Sequence, residues 1–101
     1  MIFDSDGTTI KIFIENLTDG YNKIKNDHLI INLFSFSKLT KNDILEFLEL
    51  SNKHKKANKS LVLVTEIVSY DDVPDEISLA PSIQEAKDII EMEEIERDLG
   101  L

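Results

Sequence analysis

The sequence predicts one α/β domain, a mixed and roughly four- to five-stranded sheet with flanking helices, and three observations predict it. Leu29–Phe34 and Leu61–Val64 are near-continuous apolar runs, the pattern of strands covered on both faces. A segment with helical spacing separates them, so the two strands should be parallel and joined by a right-handed crossover. Near the start, Asp6-Gly7 between β-prone runs signals a hairpin, whose antiparallel pair would make the sheet mixed. At 101 residues the chain suits one domain, 1–101, with no internal repeat or linker-like stretch.

In chain order, the hairpin joins Met1–Asp4 to Thr8–Glu15 through Ser5-Asp6-Gly7. Ile10, Ile12 and Ile14 alternate with Lys11, Phe13 and Glu15, as on a half-buried strand. Leu17, Tyr21 and Ile24 follow with helical spacing, giving a short amphipathic helix that Gly20 weakens. The next helix starts at Thr40, a natural N-cap, with Asp43 placed to serve the free amides and the helix dipole. Ile44, Phe47, Leu48 and Ser51 line one face of it, and it runs to Lys59. Ser69–Glu76 is an irregular link, and Ile77–Ala80 a short last strand. Ser82 and Glu85 then match a capping box opening a final helix over about 82–99, which Gly100 ends.

That last helix carries two apolar stripes. Ile83, Ala86 and Ile90 share one face, while Met92, Ile95 and Leu99 fall on nearly the opposite one. One straight helix cannot bury both against one sheet. Either a kink or frayed end brings both halves onto the domain, or the second half projects toward a partner or a second copy of the chain.

Charge and composition narrow the function. The net charge is −9, and from Asp71 onward eleven acids face only Lys87 and Arg97, leaving residues 1–70 neutral. Direct nucleic-acid binding needs a basic face, so it is not expected. The one basic cluster, Lys53, His54, Lys55, Lys56 and Lys59, lies at a helix end, where cations complement the dipole. His28 and His54, the only histidines, form no zinc-ligand pair, and both are expected at the surface. The chain has no cysteine, no leader-like start and no apolar run near the ~20 residues of a membrane span, so a cytoplasmic protein is expected.

One enzyme signal stands out. Phe3-Asp4-Ser5-Asp6-Gly7-Thr8 resembles the first motif of haloacid-dehalogenase-type phosphatases, where two carboxylates spaced by one residue hold Mg²⁺ and one attacks phosphorus. Thr65 and Asp71-Asp72 resemble later motifs of that family, but the family's lysine has no counterpart between them. Too few apolar residues precede Asp4 for a long central strand, and a hairpin turn accounts for Asp6-Gly7.

Leu29–Phe36, then Leu39-Thr40-Lys41-Asn42-Asp43-Ile44 and Leu61–Val64, resemble the centre of a STAS domain, the fold of anti-sigma-factor antagonists. The resemblance spans roughly residues 8–90 and implies a non-catalytic module that binds other proteins. In that family a strand-to-helix loop carries a phosphorylated serine. Here Thr40–Ile44 stands in its place and the serine is missing. The ending Ile89–Gly100, with Phe47–His54, is similar to a group of short bacterial STAS-like chains encoded beside ribonuclease Z genes. That likeness implies ribonuclease Z, or a signalling protein, as partner. The enzyme's own His-x-His-x-Asp-His signature is not in this chain.

The expectation is a regulatory or accessory binding protein with no catalytic residue, metal or cofactor of its own. Its contact surfaces would be the corner Thr40, Lys41, Asn42 and Asp43 and the stripe Met92, Ile95 and Leu99. Rival expectations are a Mg²⁺-dependent phosphohydrolase and an acidic mimic of nucleic acid.

Overall fold

Four strands, Ile2–Asp4 (β1), Leu29–Asn32 (β2), Leu61–Val64 (β3) and Ser78–Ala80 (β4), lie side by side in the order β1-β2-β3-β4. All three neighbouring pairs are parallel. The computed structural model describes residues 2–4, 8–36 and 38–100. Parallel neighbours need a crossover that carries the chain back along the sheet. Helices supply the first two: Ile10–Asp19 (α1) with Tyr21–Ile24 (α2), then Lys41–Leu45 (α3) with Leu48–Lys56 (α4). The β3–β4 connection holds only a 3₁₀ turn at Tyr70–Asp72, and Ile83–Asp98 (α5) follows β4.

The expected hairpin does not form, and the sheet is parallel rather than mixed. Thr8–Glu15 supplies the start of α1 instead of a strand, while the Ser5-Asp6-Gly7 turn lies outside the described residues. The reason is a longer apolar period. Ile10, Phe13, Leu17, Tyr21 and Ile24 recur at helical spacing and are all buried, whereas Ile12, which alternation would have placed in the core, is 47% exposed. Thr9 caps this helix by accepting from the Ile12 amide at 3.2 Å. Local β propensity of the isoleucines loses to the burial of that stripe. Gly20 marks the break between α1 and α2, as its sequence context implied.

Strand alternation divides the core. Leu29, Ile31, Leu61, Leu63 and Leu79 face the layer of α1–α4, where Phe13 and Phe47 meet edge to face at 6.4 Å. Ile30, Val62, Val64 and Ala80 face the other way, onto Ala86, Ile83, Ile89 and Ile90 of α5. The helix expected to run unbroken to Lys59 is two helices, interrupted at Glu46 and Phe47. Its capping box forms in full, with the Thr40 hydroxyl accepting from the Asp43 amide at 3.2 Å and the Asp43 carboxylate from the Thr40 amide at 3.0 Å. At the end of α4, Asn58 takes the left-handed conformation (φ 62°), and Gly100 does the same after α5 (φ 75°).

His54 is a correction. It is fully buried rather than on the surface, because the α4 stripe through Phe47 and Ser51 extends one turn further to it. Its Nε2–H donates to the Asp27 carbonyl at 2.8 Å, which leaves Nδ1 to accept from the Tyr21 hydroxyl at 2.8 Å. Burial pushes the His54 imidazole below its ordinary value, outweighing the hydrogen bond to Asp27, and pushes the Tyr21 phenol up. His28 is also drawn in, accepting from the Ser60 amide at 3.0 Å and pairing with Glu94.

Candidate functional site

Helix α5 decides which surface is left over. It is one helix from Ile83 to Asp98 that carries both stripes. The sheet-facing stripe continues past Ile83, Ala86 and Ile90 as Glu93 and Arg97, which keep the same helical spacing. Those two side chains hold the C-terminal half down by polar contacts. Glu93 accepts from the Ser60 hydroxyl at 2.7 Å and from the Ser78 hydroxyl at 3.2 Å, and Arg97 donates to the Ser60 oxygen at 2.9 Å. Ser60 is fully buried, so this network sits at the amino ends of β3 and β4. With the inner face filled by polar partners, Met92, Ile95 and Leu99 point outward at 61%, 54% and 68% exposure. The sequence showed the stripe, but not that charged residues would occupy the face beneath it.

Met92 also joins this stripe to a groove. A cavity of ≈ 640 Å³ runs between the loop after β3, the edge strand β4 and α5, lined by Val68, Leu79, Ala80, Pro81, Ile89 and Met92 among others. That volume falls within the roughly 300–1,000 Å³ of typical binding sites. It lies just beyond the carboxyl ends of β3 and β4. Three carboxylates, Glu66, Glu85 and Asp88, join the lining, which holds no basic residue among the described ones. All three are exposed, and Thr65 at its base is satisfied by accepting from the Ile67 amide at 3.2 Å. Sequence reasoning missed the groove because its wall combines the loop after β3 with the Glu85, Asp88, Ile89 and Met92 flank of α5.

The predicted corner is a separate place. Thr40, Lys41 and Asn42 are exposed, while Asp43 helps line a smaller cleft of ≈ 260 Å³ with Ile10, Ser35, Phe36, Lys38 and Leu39. Thr40 and Asp43 are committed to capping each other. Thus the structure brings Met92, Ile95 and Leu99 together on one surface and leaves the four corner residues on the helix-layer side of the sheet.

The carboxylates singled out for phosphoryl chemistry are spread out. Asp4 ends β1, an edge strand, and its Oδ1 accepts from the Asn32 amide at 2.8 Å. Thr65 follows β3, two strands away, and Asp71 and Asp72 lie in the 3₁₀ turn. Asp6 lies outside the described residues, and among the described ones no three acidic, His or Cys side chains gather as a metal site. No buried side-chain nitrogen or oxygen among the described residues lacks a hydrogen-bond partner, so the buried Ser51, His54, Ser60 and Thr65 are accounted for as structure. No described helix is long and apolar enough to cross a membrane. Comparison with family models, with curated proteins and with solved structures finds no match to this chain.

Proposed function

We propose that the protein is a non-catalytic interaction module, a regulator or accessory that takes a partner protein along the groove and outer stripe of α5. One observation carries this reading: the apolar groove opens directly onto Met92, whose side chain continues through Ile95 and Leu99 as an exposed apolar strip. Contiguous apolar surface on a folded domain marks a contact site more often than chance exposure. The STAS-like resemblance points the same way. Ribonuclease Z is one partner to try, on the strength of the second resemblance alone. Thr40 is better employed as a helix cap than as a phosphoacceptor.

A photo-crosslinking residue placed at Met92, read in cells of the source organism, should give a discrete adduct that the same residue at Lys23 does not. Equal labelling from both positions would refute the reading.

A Mg²⁺-dependent phosphohydrolase is the second reading, and one observation favours it. With the hairpin gone, Asp4 ends a parallel strand that leads into a helix, which sets its carboxylate at the carboxyl end of the sheet. Turnover of a generic phosphate ester in Mg²⁺, lost in Asp4→Asn, would establish that reading and displace the first. No Asp4-dependent turnover is expected.

A further inference from the structure

We infer that the occupant of the α5 groove is a basic amphipathic segment of another protein, apolar on one face and rich in Lys and Arg along its edges. The inference rests on the interaction reading above and specifies the chemistry of the partner. Its basis is the pairing of floor and rim. Val68, Ile89 and Met92 offer apolar contact, and Glu66, Glu85 and Asp88 stand around them with no cation on the groove. The charge extends along the helix. Within Ile83–Asp98 seven acids face Lys87 and Arg97, and Arg97 is already held by Ser60 and Glu93. A complementary segment gains both burial and charge pairing, which steers encounter and rejects acidic competitors.

The same charges argue against a second copy of this chain lying antiparallel along α5. That arrangement sets one row of carboxylates against another across an interface, where like charges repel and oppose association. The chain's own basic cluster is partly engaged as well, since Lys53 sits 4.6 Å over the Tyr21 ring and Lys55 donates to the Glu76 carbonyl.

The test uses the full chain and two synthetic amphipathic helices of about 18 residues, one built from Leu and Lys and its twin from Leu and Glu. Calorimetric titration should show saturable binding of the Leu/Lys peptide with one peptide per chain. Binding of the Leu/Glu twin should be at least about tenfold weaker. Glu85→Lys with Asp88→Lys should weaken the Leu/Lys complex at least about tenfold, and Met92→Asp should do the same. Circular dichroism and thermal melts establish that each variant is folded. Equal binding of the two peptides, or a complex indifferent to the charge reversal, would overturn the basic partner while leaving an apolar docking site standing. Binding that survives Met92→Asp but vanishes in moderate salt would overturn the groove and leave a purely electrostatic mimic of nucleic acid. Failure of both peptides to bind would overturn the inference. Concentration-dependent dimers in sedimentation, dispersed by Met92→Asp, would replace the foreign partner with a second copy.

Discussion

Four helices press on one face of the sheet and a single helix on the other, and the two layers are filled with different chemistry. In the layer of α1–α4 lie Leu29, Ile31, Leu33, Leu61, Leu63, Ile44 and Phe47, all nearly or completely buried, with Ser51 and His54 as buried polar residues among them. Beneath α5 the apolar contact is short: it ends with Ile83, Ala86, Ile89 and Ile90, of which Ala86 alone is fully buried, and the inner face of the second half rests on Ser60 and Ser78 through Glu93 and Arg97. The first face still exposes single apolar side chains, Ile12 and Leu45 among them, but holds most of the buried core. The second secures the C-terminal half of its helix with polar contacts and leaves Met92, Ile95 and Leu99 exposed. The proposed contact surface thus lies on the side of the sheet opposite most of the buried core.

The sharpest way to break this division is Phe47→Ala. It should cost about 3–5 kcal/mol in denaturant unfolding, because a full-sized cavity opens in the helix layer. An effect under about 1 kcal/mol would mean that this face is not the stabilising one. His54→Leu comes next, stranding the Tyr21 hydroxyl and the Asp27 carbonyl, and should cost about 1–3 kcal/mol.

The same side chain gives the fold a pH dependence. With its folded-state value depressed by burial, His54 is neutral in the native protein and takes up its proton more readily when unfolded. Its contribution is complete above the unfolded value of about 6.5 and is lost as the pH falls from there through the folded value. Melting temperatures followed downward from neutrality should therefore drop in the wild type more steeply than in His54→Leu. Parallel profiles would remove His54 from the account.

On the other face the effects shrink. Glu93→Ala removes the shared acceptor of Ser60 and Ser78 and should cost about 1–2 kcal/mol, with hydrogen exchange rising first in the C-terminal half of α5. Smallest of all is the combined change Met92→Asp and Ile95→Asp, expected within about 0.5 kcal/mol of the wild type while abolishing partner binding. Outright unfolding of that variant would place the stripe in the core and erase the contrast between the faces.

How much was legible depended on where the deciding interaction lay. β2, β3 and β4, the Thr40–Asp43 capping box and the last helix with its Ser82 cap could be read locally, since apolar runs and side-chain caps act over a few neighbouring residues. The stretch from Thr8 to Glu15 reads as a strand because Ile10, Ile12 and Ile14 alternate over five residues. The stripe that governs them spans Ile10 to Ile24 and is fixed by the core it enters. His54 was misread for a related reason: its lysine neighbours speak for solvent, while helical phase turns it inward.

The sequence by itself determined the α/β class, the strands in the middle and end of the chain, the helix caps, the concentration of acid after Asp71 and the two opposed stripes of the last helix. These follow from periodicity, turn chemistry and charge counting. Only the tertiary structure decided that the sheet is wholly parallel, that His54 is enclosed, and that Glu93 and Arg97 rather than Met92 and Ile95 meet the sheet. Whether a helix buries its apolar or its charged stripe depends on what waits on the opposite surface. Here, along the second half of α5, two serine hydroxyls brought together by strand pairing selected the charged one.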